Sequence, residues 1–170
     1  PALLKPLPFP HPERLVSMGT YSGTTAYSAA PAHYAPLKRV PSIASVGMVD
    51  GGPVIVNIAP EGRPQVAVAM HADRAFFQTL GLPMAVGRNF DDAENRPHGP
   101  QAVILTNAFW RARFGADPAV VGRSLQVEGK DIRIVGVLSS RFQWPWGIDL
   151  VLSMQPDPTS HDMSTNHLIV

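Results

Sequence analysis

Residues 71–138 read HADRAFFQTLGLPMAVGRNFDDAENRPHGPQAVILTNAFWRARFGADPAVVGRSLQVEGKDIRIVGVL. This stretch carries the densest aromatic and aliphatic patterning and the clearest stop signals of the chain. Asp73 stands where a helix cap is wanted, before a helix over 74–80 that places Phe76, Phe77 and Leu80 on one face. Gly81 supplies a left-handed stop, and Pro83 prevents the helix from resuming. Residues 84–95 read as a loop carrying Gly87-Arg88, and 102–105 as a short buried strand. Thr106 caps a second helix that runs to Phe114, with Trp110 and Phe114 four apart, and Gly115 ends it. Arg111 and Arg113 fall in its last turn, where the helix dipole favours a cation by roughly 0.3–1 kcal/mol. Asp117-Pro118 is a cap followed by proline, opening a turn that closes at Gly122. Leu125 and Val127 then alternate with Ser124, Gln126 and Glu128, and residues 128–131 turn the chain. On the return strand Ile132, Ile134 and Leu138 fall on one face, and Val135 and Val137 on the other. That pattern predicts a hairpin whose second strand is covered on both sides.

Toward the amino terminus, Pro6, Pro8, Pro10 and Pro12 rule out a regular helix and predict an extended arm over 1–13. Residues 14–20 read as a first strand and 21–27 as a polar loop. A short helix is expected over 28–38, with Ser28 as its cap and Tyr34 and Leu37 on one face. Strands are expected over 43–49, 54–59 and 65–70. Asp50-Gly51-Gly52-Pro53 and Pro60-Glu61-Gly62-Arg63 are the turns between them, which predicts a three-stranded meander. Toward the carboxy terminus comes a loop with Phe142, Trp144 and Trp146, then a strand over 148–152. A polar stretch over 153–166 reads as a mobile connection before the apolar run His167-Leu168-Ile169-Val170. The chain starts at Pro1 and stops inside that run, which reads as a piece cut from a longer protein.

Composition narrows the function. The 170 residues suffice for one ordinary domain or two small subdomains. Charged residues are 16% of the chain and net charge is +1, with the basic residues scattered, which argues against a nucleic-acid surface. With 18 prolines, about twice the usual ~5%, the elements should be short. Cysteine is absent, so disulfides, thiolate zinc sites and thiol catalysis are excluded. No apolar run reaches the ~18 residues of a membrane helix, and no signal peptide is visible.

The search for chemistry returns little. The six histidines form no His-x-His or His-x-x-x-His pair and read as solvated or capping groups, so no metal is expected. Asp91, Asp92 and Glu94 lack the further oxygen ligands of a calcium loop and read as a solvated cluster. Ser22 in Gly19-Thr20-Tyr21-Ser22-Gly23 has the wrong spacing for a nucleophile elbow. Neither a dinucleotide nor a Walker glycine pattern occurs, so no catalytic residue and no cofactor is expected. Helical spacing makes Phe109-Trp110 core. Phe142, Trp144 and Trp146 sit in a loop, where aromatics mark a partner surface or a lid over the hairpin.

Read together, these features resemble one family. Phe76-Phe77-x-x-Leu80-Gly81 is followed by Gly87-Arg88-x-Phe90, Ala102-Val103-Ile104-Leu105 and Phe109-Trp110-x-x-Arg113-Phe114-Gly115. Asp117-Pro118, Val121-Gly122-Arg123 and Ile134-Val135-Gly136-Val137 complete the series. In that order they are similar to the MacB-like periplasmic core domain of MacB/FtsX-type ABC-transporter permeases, in members lacking a fused ATPase. Lys5-Pro6-Leu7-Pro8-Phe9 and Arg14-Leu15-Val16 look like the segment after the first membrane helix.

The resemblance implies an extracytoplasmic domain of an integral membrane protein with an α+β fold. A porter-like split βαβ part, 1–72 with 146–170 and incomplete at its carboxy-terminal end, would carry an inserted mixed α/β, sabre-like lobe, 73–145. His167–Val170 would pair along the strand containing Leu15 and Val16. The implied function is transmission of ATP-driven motion to substrates or partners outside the membrane, in export, efflux or lipoprotein handling. The implied partners are the membrane helices of the same permease, a separate cytoplasmic ATPase subunit, and a periplasmic adaptor or lipoprotein. The piece alone is expected to be a monomer. The competing reading is a periplasmic ligand-binding module for a small molecule or peptide, which would need one deep apolar pocket.

Overall fold

The strand pairings of this chain close into a ring. A computed structural model describes residues 9–22, 25–50, 52–142, 147–164 and 167–170. Its strands are β1 (Thr20–Ser22), β2 (Thr25–Tyr27), β3 (Met48–Asp50), β4 (Val54–Ala59), β5 (Gln65–Ala72), β6 (Met84–Gly87), β7 (Ala102–Leu105), β8 (Ser124–Val127), β9 (Lys130–Leu138), β10 (Leu150–Ser153) and β11 (His167–Ile169). Its helices are α1 (Tyr34–Leu37), α2 (Arg74–Thr79) and α3 (Asn107–Phe114). The α+β class expected from the sequence is the one observed. The main sheet runs β10-β7-β9-β8-β4-β5-β3-β11, and β10 also pairs with β5. Strands β10, β7, β9, β8, β4 and β5 therefore form a closed barrel, parallel at β10–β5 and β7–β9 and antiparallel elsewhere.

Period-two alternation fills this barrel. Val56 and Ile58 of β4, Ala67 and Ala69 of β5, Val103 and Leu105 of β7, and Leu150 and Leu152 of β10 share one buried cluster. Phe109 and Trp110 of α3 join the same cluster. The intervening residues Met70, Ala72, Ile104 and Val151 face outward, into a second cluster. There Phe76, Phe77 and Leu80 of α2 cover them, with Phe76 and Phe77 edge to face at 5.5 Å. Burying a side chain of this size is worth about 1.5–3 kcal/mol, so the two clusters account for most of the driving force for this fold.

Strand β9 departs from simple alternation. Ile134 stands opposite Val103 but Gly136 opposite Ile104, so Val135 is one residue extra. The bulge re-aims the rest of the strand. Ile132, Ile134 and Val137 face the barrel interior, while Val135 and Leu138 face the outer cluster. The expected grouping of Ile132, Ile134 and Leu138 is thus corrected at its last member. Beside the bulge runs β6, expected as loop; it pairs with β9 through Met84 and Leu138, and through Gly87 and Gly136. The glycines permit this approach. A Cβ on Gly136 would lie 2.3 Å from the Arg88 carbonyl oxygen, and Gly87 has a φ of 73°.

A third cluster joins the segment 29–48 to strand β11: Ala29, Tyr34, Val46, Met48 and Ile169. It forms a base beside the barrel, continuous with it where β3 pairs with β5 at Val49 and Ala72. Strands β4, β5 and β10 share their buried cluster with residues 102–137.

The remaining local differences lie in the base. Residues 14–20, expected as a strand, hold instead the end of a 3-10 turn (Pro12–Arg14), a single bridge at Met18 and the first residue of β1. The loop expected over 21–27 includes the hairpin β1–β2. The helix expected from Ser28 starts after Ala30, as a 3-10 turn (Pro31–His33) leading into α1, because Pro31 fits the first helical position. The strand over 43–49 is reduced to β3, which pairs with β5 and not with β4, so the meander is broken. Strand β11 pairs with β3 and, among the described residues of the opening segment, bonds where the Met18 amide donates to the Ile169 carbonyl at 2.8 Å; Leu15 and Val16 do not pair with it. The polar stretch after β10 is fastened: the Met154 amide donates to the Ala72 carbonyl at 2.8 Å, and Gln155 Nε2 to the Gly99 carbonyl at 2.8 Å.

Candidate functional site: the junction and the contact surfaces

Asp73 joins barrel to base. Its β-region backbone makes it the cap of α2, and Oδ1 accepts from the Phe76 amide at 2.8 Å. The same oxygen accepts from the Met48 amide at 3.0 Å, and Oδ2 accepts from the Tyr34 hydroxyl. Asp73 and Tyr34 are both buried, so each group has exchanged water for the other. Burial lifts the Asp73 carboxyl above its ordinary value, and the bonds from Tyr34, Met48 and Phe76 oppose that lift. Burial, and then the Asp73 charge, push the Tyr34 phenol upward. Lys38 lies 4.1 Å from the centre of the Tyr34 ring. The sequence pointed to Asp73 as a cap. Its partners 25 and 39 residues upstream left no local signal.

The acidic cluster is ion-paired, which corrects its reading as a solvated loop. Arg88 grips Glu94 with both terminal nitrogens at 2.8 Å and meets Asp91 at 3.1 Å. Glu94 is buried, and Asp92 pairs with Arg74. The Glu94 amide bond, and then the Arg88 charge, hold the Asp91 carboxyl below its ordinary range. The arrangement fixes the loop that seats buried Phe90 on Phe77, with ring centres 6.1 Å apart. Here a signal was present, because Arg88 and the acids lie within six residues.

Of the three aromatics expected at a partner surface, Phe142 is described. It is half-buried and packs edge-on against Phe77 of α2, with centres 6.5 Å apart. Trp144 and Trp146 lie outside the described residues. Beside Phe142 is an open groove of about 490 Å³ that reaches Asn107 and Arg111 of α3. A second open groove, about 520 Å³, lies between Leu15, Ile43 and Thr79. Neither is an enclosed cavity with converging polar groups. Among the described residues no group of three acidic or histidine side chains could hold a metal, and no helix is long and apolar enough to cross a membrane.

The barrel's outer wall is covered by α2 on one side only. On β4 and β5, Ile55 is 78% exposed and Val66 65% exposed. Ile55 pairs with Val68, and Asn57 with Val66, so the two exposed side chains are diagonal neighbours on the outer face. They form a small apolar patch beside Asn57.

Several solved structures share this architecture. The periplasmic region of MacB from Actinobacillus actinomycetemcomitans superposes with a TM-score of 0.63 at 15% identity, covering 91% of this chain and 72% of that one. A domain of a putative permease from Porphyromonas gingivalis gives 0.59 at 15% identity, with 90% and 68% covered. The extracellular domain of the noncanonic ABC-type transporter YknZ from Gram-positive bacteria gives 0.54 at 15% identity, with 79% and 68% covered. At this identity the likeness carries the fold. No curated protein matches the sequence. The model of the MacB-like periplasmic core domain matches residues 6–159, nearly the whole chain and all the motifs that hold barrel and loops together, and the chain belongs to that family.

Proposed function

We propose that this domain transmits ATP-driven motion of a permease to substrates or partners outside the membrane. The family is one of periplasmic domains of ABC-transporter permeases, so the chain stands on the extracytoplasmic side and works with membrane-spanning segments and an ATPase. The observation that supports transmission is the junction. The segment from Met18 to Met48 and strand β11 meet in the base cluster around Tyr34, Met48 and Ile169, and Asp73 ties that base to α2 and the barrel through buried hydrogen bonds. Displacement of the ends is thereby delivered to a closed barrel, which resists deformation because all six strands are paired on both edges. The proposed division of labour is a base built on β3, α1 and β11 and a lobe built on the six barrel strands with α2 and α3. The separate ATPase subunit, and an adaptor or lipoprotein at the exposed patch of Ile55 and Val66, belong to the same proposal. The open shape of both grooves favours it over a ligand-binding module.

The test uses the full-length permease with its ATPase. A spin label at Lys130, on the β8–β9 turn, and one at a membrane-helix end should change separation between nucleotide-free and ATP-bound states. A label pair at Arg39 and Lys130 should keep its separation. Distances unchanged in both pairs would refute transmission.

A further inference from the structure

Strand β11 is three residues long and holds three segments together. Along one edge it pairs with β3, placing His167 opposite Asp50 and Ile169 opposite Met48. Along the other it is bridged at Met18 and Ala29; the Ala29 amide donates to the His167 carbonyl at 2.8 Å. On the far side of β3, Val49 stands opposite Ala72, which sets Asp50 beside His71. The His71 amide donates to Asp50 Oδ1 at 2.8 Å, and His71 Nδ1 lies 2.7 Å from Oδ2. Histidine, aspartate and histidine thus form a row across three adjacent strands. His71 is satisfied. His167 Nδ1 is buried with no hydrogen-bond partner among the described residues.

We propose that this row is a proton-operated latch on the carboxy-terminal strand, closed while His167 is neutral and released when it is protonated. A proton on His167 places a charge in a half-buried site whose inner nitrogen has no acceptor among the described residues, and burial of a charge is costly without one. The charges facing the ring are Asp50 from β3 and Asp162 from the segment after β10, and His71 stands beyond Asp50 on β5. Burial outweighs the two carboxylates and holds the imidazole below its ordinary value. A depressed histidine leaves the folded state unaffected above its unfolded value of about 6.5 and costs stability as pH falls below it. The relief is local, because β11 is short and carries full pairing on one edge only. Its release frees Met18, Ala29 and Gly47 together, which loosens the base without opening the barrel. The latch does not depend on what the domain contacts.

Hydrogen exchange on the 170-residue chain between pH 7.5 and 5.0, corrected for intrinsic rates, tests this. Protection of the Met18, Ala29 and Gly47 amides, which donate to residues 167–170, should fall several-fold on acidification while the Ile134 amide holds. His167→Gln should flatten the profile. Asp162→Asn, an exposed change off the sheet, should move the midpoint to lower pH. A direct NMR titration should place His167 below 6.5. A flat parent profile, a loss that persists in His167→Gln, an Asp162→Asn profile identical to the parent's, or a His167 midpoint at or above 6.5 would each overturn the latch.

Discussion

Asp73→Ala is the perturbation that most sharply probes the junction. It removes the cap of α2, worth about 1 kcal/mol. It also strands the Met48 amide and the Tyr34 hydroxyl, both buried, at about 1–3 kcal/mol each. Relief of the burial of the carboxyl itself offsets part of this, so the expected loss is about 3–5 kcal/mol. At roughly 2–4 °C per kcal/mol for a domain of this size, the melting temperature should fall by about 10 °C. Asp73→Asn keeps an oxygen for Phe76 and Met48 and turns an amide donor toward the Tyr34 oxygen, so it should cost less than about 1.5 kcal/mol. Because the Asp73 carboxyl is raised, its contribution is full below the unfolded value of about 3.9 and lost as pH climbs through the folded value. Asp73→Asn should therefore gain on the parent as pH rises from 4 to 7. Urea unfolding of Asp73→Ala, Tyr34→Phe and the double variant should give a coupling of about 0.5–3 kcal/mol. Additive losses, or equal losses in Asp73→Ala and Asp73→Asn, would refute the network as the joint between base and barrel.

Other substitutions probe the two cores and the loop. Phe77→Ala and Trp110→Ala should each cost about 3–5 kcal/mol, since both are buried in separate clusters; thermal melts within a degree or two of the parent would show the core misassigned. Gly136→Ala should cost at least about 1–3 kcal/mol by urea midpoint, because its methyl would sit 2.3 Å from a backbone oxygen that cannot swing away. Glu94→Gln should cost about 1–2 kcal/mol in the same assay, less than a fully buried pair because Arg88 is 48% exposed.

The proposed mechanical role sets what these variants should do in the cell. Variants that unseat Asp73 should uncouple transport from ATP hydrolysis in the full permease, whereas Gly136→Ala should lower the amount of folded protein. The distinction comes from position: Asp73 bridges two clusters, and Gly136 lies within one wall.

The sequence by itself determined the helices, caps and stops of 71–138, though not strand β6. Asp73, Thr106 and Asp117 cap, Gly81 and Gly115 stop, and Phe76, Phe77 and Trp110 are buried, because caps, stops and apolar spacing act over a few residues. The ordered motifs also carried the family and with it the location. Tertiary structure decided the ring. The parallel pairings of β10 with β5 and of β7 with β9 join residues about 80 and 30 apart along the chain, and parallel strands leave no turn signature between partners. It decided the Val135 bulge, which inverts Val137 and Leu138 relative to strict alternation, since a bulge is set by the neighbouring strand. It decided that β11 lies against β3, with Leu15 and Val16 left out, because a three-residue strand carries too little pattern to name its partner. Finally, it turned Asp73 from a cap into a joint, through Tyr34 and Met48, whose hydrogen bonds exist only once base and barrel have come together.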